Sequence, residues 1–296
     1  MQQKIVIAGG TGFVGKFLNE KFKSLGYYVV ISSRQQNHIN WNDTNGIASA
    51  LENATMLINL AGKSVDCRYN EKNKKEIYNS RIDTTRILGE ALLNCKNPPP
   101  LWINSSTATI YRHAEDSPMT ESRGEIGSGF SVNVATNWEK TFFSFQVSQT
   151  RQVALRMAIV LGKNGGVIKA LKNLVRFGLG GKQGNGNQMF SWIHIEDLYN
   201  VILFVQQHKE ISGVLNTSAP NPVNNKTLME LMRKYVGVPV GLPTPTWLLK
   251  MGAVLIKTET ELILKSRWVI PERLLNAGFE FKYPTMAEAL KNILNN

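Results

Sequence analysis

A chain of 296 residues, 43% hydrophobic, 19% charged and 9% aromatic, has the make-up of an α/β protein with one large domain or two modest ones. That composition excludes a disordered or collagenous chain, and two cysteines, Cys67 and Cys95, exclude a disulfide scaffold and predict reduced thiols in a cytoplasmic setting. The net charge of +12 is uneven: residues 1–150 carry 16 Lys+Arg against 13 Asp+Glu (+3), and residues 151–296 carry 18 against 9 (+9).

The chain starts on the strand-like Ile5–Ala8, which leaves no room for a signal peptide. A helix over Phe13–Leu25 follows, with Phe13, Phe17, Leu18, Phe22 and Leu25 at three- and four-residue spacing. Short β-rich runs then recur at Tyr28–Ser32, Met56–Leu60, Leu101–Ser105 and Val153–Met157, each closed by polar or small residues. Between them lies the helical segment Lys72–Leu93, long enough to carry the chain to a parallel neighbour. This alternation predicts a Rossmann-type, doubly wound parallel sheet over residues 1–162, followed by a smaller substrate-binding portion over 163–296 whose strands return to the main sheet. In that second part, Gly178–Gln188 reads as a glycine-rich loop suited to a closing lid. Phe190–Ile193 and Val214–Thr217 read as strands, and Asp197–Gln207, Thr227–Val236, Trp247–Lys265 and Met286–Leu294 as helices. Lys250, Lys257, Glu259 and Glu261 interrupt the late apolar stretches, so none is predicted to span a membrane.

Gly9-Gly10-Thr11-Gly12-Phe13-Val14-Gly15 sits directly between a strand and a helix. Gly9 suits the tight turn, Gly12 a close approach of backbone to a diphosphate, and Gly15 the packing of helix on strand, while the helix start offers free amides to the phosphates. Thr11, Phe13 and Val14 share this cradle. The second strand ends in Ser33-Arg34 with no acid before Asp43, where a chain preferring NAD would place a carboxylate for the ribose 2′-hydroxyl. Arg34 suits a 2′-phosphate instead, so NADP is predicted over NAD. Asn59-Leu60-Ala61-Gly62, at the carboxyl edge of the third strand, leaves room for adenine and ribose.

These segments resemble the extended and atypical short-chain dehydrogenase/reductase superfamily, closest to its nucleoside-diphosphate-sugar epimerase-like family with its own C-terminal domain. The matching stretches include GGTGFVG at Gly9, NLAG at Asn59, SRIDTTRIL at Ser80, SSTATIY at Ser105, NWEK at Asn137, LRMAIVLG at Leu155 and GNQMFSWIHIEDL at Gly186. The resemblance implies cofactor contacts at Ser105 and Met157, a substrate-orienting hydroxyl at Thr107, and a Tyr-x-x-x-Lys pair some 25 residues later. That pair is missing: Phe130–Glu139 contains no tyrosine, and Lys140 is the nearby lysine. Tyr111 is the substitute acid or base of first choice, followed by Glu139, His113 and His194, and Arg112 and His113 lie beside it in sequence. A phenol titrating near pH ~10 needs a neighbouring cation to act as a base.

His194 and Arg156 are the candidate substrate residues: His194 lies at a strand-to-helix junction, and Arg156 in a buried strand needs a partner or a ligand phosphate. Asp197 reads as an N-terminal helix residue. The four histidines lack metal-ligand spacing, so no metal is expected. The scattered basic residues predict an anionic small-molecule substrate rather than nucleic acid or a membrane. The helices Lys72–Leu93 and Val132–Gln146 offer faces for a homodimer, as in the proteins this one resembles. The function expected is an NADP-binding, epimerase-like oxidoreductase or isomerase acting on a small hydroxylated substrate, nucleotide-linked substrates included. The alternative is an NADP-binding sensor or regulator that has lost the Tyr/Lys pair.

Overall fold

Alternation of side chains along the first strand sets the layers. In β1 (Lys4–Ala8), Ile5 and Ile7 point to one face and Val6 and Ala8 to the other, all of them buried. The pattern continues through β3 (Met56–Asn59), β4 (Leu101–Thr107) and β5 (Arg151–Met157). Met56, Ile58, Ile103, Val153 and Leu155 join the first core, and Leu57, Trp102 and Ala154 the second. Strands that are apolar on both faces must be covered on both. Here α1 (Phe13–Ser24) and α6 (Ile195–Gln207) close one side, while α2 (Thr44–Leu51), α3 (Glu71–Leu93) and α4 (Phe130–Phe143) close the other.

The computed structural model describes residues 2–295 except 164, 248 and 250–264. Its six-stranded sheet runs β2-β1-β3-β4-β5-β9, with β2 at Tyr28–Ser32 and β9 at Gly213–Thr217, and every neighbouring pair is parallel. This is the doubly wound Rossmann-type sheet expected from the alternation. The winding reverses between β1 and β3, so the carboxyl ends of these two strands border the crevice where such sheets bind ligands.

Beyond β5, β6 (Ile159–Leu161) pairs with β8 (Trp192–His194), and β7 (Met189–Phe190) pairs with β10 (Val223–Asn224). A third core, including Leu161, Leu171, Trp192, Met229 and Leu290, is enclosed by α5 (Ile168–Arg176), α7 (Asn225–Val236) and α9 (Met286–Leu294). Between α7 and α9 lies the short α8 (Glu272–Asn276). Its Arg273 donates to the carbonyls of Ser212 and Val214 at 2.8 and 2.5 Å, covering the outer side of β9. At the opposite edge, Ile39 bridges to β2: its N donates to Ile31 O and its carbonyl accepts from Ser33 N. No helix among the described residues is long and apolar enough to cross a membrane.

Three local expectations change. Phe190–Ile193 is split between two short strands, since Phe190 pairs with β10 and Trp192 onward with β6, and the Ser191 hydroxyl between them bonds the backbone of Arg267 and Val269. α2 adds a helix between the second and third strands where none was expected, and Asp43 caps it by accepting from Gly46 N at 2.8 Å. The glycine-rich loop is not a free lid. Gln183 and Gln188 are buried in it, Gln183 exchanging hydrogen bonds with Asn225 and Gln188 donating to Gln183 O. The helix expected over Trp247–Lys265 falls, but for Trp247, Leu249 and Lys265, outside the described residues.

Candidate cofactor and active site

The glycine turn occupies the β1/β3 crevice. Gly9 has φ +77°, and a Cβ there would lie 2.7 Å from Ala61 N, so only glycine fits between the two strand ends. Gly15 is held equally tightly, since a Cβ would meet Gly10 Cα at 2.6 Å. Gly12 differs: it is exposed, and a Cβ would meet nothing nearer than Gly9 O at 3.8 Å. The space above Gly12 is therefore open. No side chain caps α1, no acid lies in its first turn, and its ladder begins only with Lys16 N donating to Gly12 O. A helix start with exposed amides and positive dipole suits a diphosphate. Phe13 turns away from this space and packs on Gly162 and Gly165 beyond β6.

Arg34 is exposed just past β2. Its charge, with those of Lys63 and Lys72, helps hold the Glu76 carboxyl below the usual range, the Lys63 hydrogen bond being the largest cause. Ser33 is buried, bonded through Oγ to His38 Nδ1 and to Gln35 N.

Two residues expected at the cofactor are committed elsewhere. Asn59 donates from Nδ2 to Asn104 Oδ1 (2.7 Å) and Thr85 Oγ1 (3.1 Å), and its Oδ1 accepts from Ala61 N. Ser105 Oγ donates to Asn59 O at 2.9 Å. Both lie inside the sheet edge, where an unpaired polar atom would be costly, so they bind strand ends to one another. Leu60 packs on the core and Ala61 is buried, which leaves Gly62 as the exposed member of that segment. Met157 ends β5, half-buried against the core.

The largest departure lies beneath the expected catalytic centre. Glu139, on the inward face of α4, accepts from Arg156 Nε (2.9 Å), Arg156 Nη2 (2.7 Å) and Ser106 Oγ (2.5 Å). Arg156 Nη1 donates to the Tyr111 hydroxyl at 2.9 Å, and that hydroxyl donates to Asn216 Oδ1 at 2.8 Å. All are buried, so β4, α4, β5 and β9 meet in one polar network. Arg156, expected at an anionic substrate, instead answers a buried carboxylate. Burial works against its charge, but Glu139 more than offsets this and the guanidinium pKa is raised. Tyr111, expected as the acid or base, is 2% exposed. Burial raises its phenol pKa, and Arg156 offsets that only in part. Arg112 does not activate it, being held at the surface by Asp116 and Glu125.

Thr107 ends β4 half-buried, its Oγ1 accepting from Thr109 N as the chain turns. Arg112, His113, Ile126, Gly127, Ser128 and Lys265 line an open cleft of about 430 Å³, in which Lys265 Nζ donates to Thr109 O. Sequence reasoning did not single out Thr85, Asn216 or Arg81. Arg81 carried a signal, because it falls within the buried stripe Ile77, Thr85, Leu88 and Leu92 of α3, where a charge is out of place.

His194 and Asp197 build the junction of β8 with α6. His194 caps the helix by accepting from Glu196 N at 3.2 Å and lies against the Tyr283 ring, 4.0 Å between centroids. Asp197, fully buried, accepts from Lys282 N and Tyr283 N. Burial pulls the His194 pKa down to about 4. An unfolded histidine takes a proton near pH ~6.5. The stabilisation is therefore complete above pH ~6.5 and falls as the pH drops toward ~4, by roughly 3 kcal/mol in all. A His194→Asn variant, which retains a capping oxygen, is expected to lose that share of the slope in urea denaturation between pH ~4 and ~7. An unchanged slope would assign the dependence to other groups.

The parallel sheet, its glycine turn at the winding reversal and the uncapped α1 define a Rossmann-type dinucleotide-binding class. The sequence profile of the NAD dependent epimerase/dehydratase family matches residues 5–217, and the chain belongs to that family. Residues 244–293 match a domain of unknown function, DUF1731. The chain is 30% identical to human epimerase family protein SDR39U1, covering 98% of this chain and 99% of the relative. It is 31% identical to epimerase family protein YfhF of Bacillus subtilis, covering 98% and 97%. The structure of human SDR39U1 (isoform 2) with NADPH superposes with a TM-score of 0.90 at 30% identity, covering 99% of this chain and all of that one. A nucleoside-diphosphate sugar epimerase from Corynebacterium glutamicum superposes at 0.80 with 26% identity, covering 99% of this chain and 58% of that one.

Proposed function

We propose that the chain binds NADP(H) across the β1/β3 crevice and works as an epimerase-like oxidoreductase on a small hydroxylated or carbonyl substrate, without a Tyr-x-x-x-Lys pair. The observation that carries this reading is the turn itself: Gly9 at φ +77° against Ala61, open space over Gly12, and an α1 start that no side chain caps. The NADPH-bound human relative supports it. When bound, a nicotinamide dinucleotide supplies or accepts a hydride. The α1 amides hold the diphosphate, and Thr107 orients the substrate hydroxyl or carbonyl at the end of β4. Tyr111 and Arg156 act as positioning residues that fix β4 against β5 and β9. The net charge of +12 suits an anionic substrate, and the sugar-nucleotide epimerase among the similar structures supports a nucleotide-linked one.

Preference for NADP rests on Arg34, exposed just past β2 where NAD-preferring chains carry an acid. Replacing Arg34 by Ala is expected to weaken NADPH by about 10- to 100-fold and NADH by less than about threefold, measured by calorimetry. Equal losses would remove Arg34 from 2′-phosphate recognition.

One observation favours a second reading, an NADP-responsive sensor: both Tyr111 and Glu139 are buried and fully engaged in hydrogen bonds. Stopped-flow oxidation of NADPH against a panel of sugars, ketones and aldehydes separates the two. Turnover that falls sharply in Thr107→Ala supports the enzyme. Tight NADPH binding with no turnover across the panel supports the sensor.

A further inference from the structure

Six cations in the second half of the chain stand without a carboxylate partner. Residues 166–187 and 231–247 contain Lys169, Lys172, Arg176, Lys182, Arg233 and Lys234, and no Asp or Glu. Among the described residues, none of the six is in an ion pair. In α5 the buried Ile168, Leu171 and Val175 fix the inner face, so Lys169, Lys172 and Arg176, at three- and seven-residue spacing, share the outer one. Scattered along the sequence, and for that reason expected to face no membrane, these cations are gathered by the fold. Leu242 N donates to Gly178 O at 2.8 Å, its carbonyl accepts from Gly181 N, and Thr244 N donates to Lys182 O. Arg233 Nη1 donates to Gly180 O, which ties the end of α7 to the same loop.

Apolar side chains stand out from this basic ground. Among the described residues, the four most exposed large hydrophobic side chains are Phe177, Val240, Leu242 and Trp247, between 62% and 82% exposed. Phe177 directly precedes Gly178, to which Leu242 is bonded, and Val240 lies two residues before Leu242. Apolar surface gathered outside the core marks an interaction site. The backbone beneath it is already satisfied. Phe177 N donates to Asn173 O and Gly178 N to Val175 O, both backbone groups of Leu242 are bonded, and Pro239 and Pro243 have no N–H to satisfy. Such a loop enters an apolar medium at little cost, whereas free donors would forfeit their water. Cations around exposed aromatic and aliphatic side chains match an anionic bilayer, whose headgroups meet the charges while the apolar groups pass below them. A single-stranded nucleic acid would use the cations but has no stacking partner in Val240 or Leu242.

We propose that the outer face of α5, with the joined loops at residues 177–182 and 240–244, docks on an anionic lipid bilayer. Phe177, Val240 and Leu242 enter the headgroup region, and Lys169, Lys172, Arg176 and Lys182 meet the lipid phosphates. The contact is peripheral and does not depend on what the β1/β3 crevice binds.

The experiment floats the full chain with vesicles of phosphatidylcholine alone and of phosphatidylcholine mixed with phosphatidylglycerol. The wild type is expected to float with the anionic vesicles only, and added salt to weaken the binding. Phe177→Ser is expected to weaken it by about tenfold or more, because a phenyl ring is withdrawn from the apolar layer. Lys169→Gln combined with Lys172→Gln is expected to lose a similar factor of about tenfold. Leu25→Ser, which removes an exposed apolar side chain at the end of α1, is the control and is expected to bind as wild type. The substituted side chains lie at the surface, so all variants should melt with the wild type. Should Phe177→Ser melt lower, Leu242→Ser takes its place. Wild type that does not float with anionic vesicles overturns the proposal, as does binding unchanged in both Phe177→Ser and Leu242→Ser. Binding of polyuridylate without vesicle binding assigns the surface to nucleic acid, and a dimer that Phe177→Ser dissociates in sedimentation assigns it to a second copy of the chain. Either result also overturns the proposal.

Discussion

A Gly9→Ala variant is expected to lose cofactor binding and much of its stability together. The left-handed backbone costs a non-glycine residue about 1–2 kcal/mol. The added Cβ would also press on Ala61 N at 2.7 Å and Leu60 C at 2.8 Å. Both are backbone atoms at the end of a buried strand and cannot rotate aside, so overpacking adds about 1–3 kcal/mol. Urea denaturation should record a total loss of about 2–5 kcal/mol, and NADPH affinity should fall by roughly 100-fold or more as the turn is forced off the crevice. Gly26→Ala is the control. Its φ is +83° but a Cβ meets nothing within 4 Å, so only the conformational cost of about 1–2 kcal/mol applies and binding is untouched. Equal effects from the two substitutions would mean that the contact with Ala61 contributes nothing.

Removing Glu139 is the second large effect. Glu139→Ala leaves Arg156 buried without its counter-ion and Ser106 without its acceptor, and is expected to cost about 3–5 kcal/mol. Replacing the pair together, as Glu139→Leu with Arg156→Met, should cost much less than the sum of the single changes, because no charge is stranded. Folded Glu139→Ala protein should still bind NADPH, since none of these atoms borders the glycine turn. Additive losses in the double variant would show that the two side chains stand independently, contrary to the geometry.

What the sequence discloses and what it withholds divide along contact range. Alternation in Ile5–Ala8, the glycines at 9, 12 and 15, and the helical stripe from Phe13 to Phe22 are local patterns, and they lead directly to the sheet, the turn and the covering helix. Asn216 lies 105 residues from Tyr111, and Glu139 lies 17 from Arg156 on a different element. No periodicity ties such partners, so Arg156 read from sequence needs either a partner or a ligand phosphate, and Tyr111 reads as a candidate acid or base. The fold gives Arg156 its partner in Glu139 and buries the phenol. Arg81 stands between these cases. Its place among Ile77, Thr85 and Leu88 is visible as an anomaly in the α3 stripe, but the Trp138 ring under its guanidinium and Gly62 beside it appear only once α3, α4 and β3 are packed.

The treatment of the sheet's two margins also limits how copies of the chain can associate. Arg273 occupies the carbonyls of Ser212 and Val214 on one flank, and Ile39 takes up the backbone of Ile31 and Ser33 on the other. Each contact occupies part of its flank and so shortens the run of main-chain donors and acceptors on offer to a neighbouring molecule, the condition under which sheets zip into larger ribbons. Growth of the sheet by an intermolecular ladder is thereby hindered at both ends. A companion chain seated on the outer surface of the helices instead meets side chains, so quaternary structure there can change by surface substitution without disturbing the crevice.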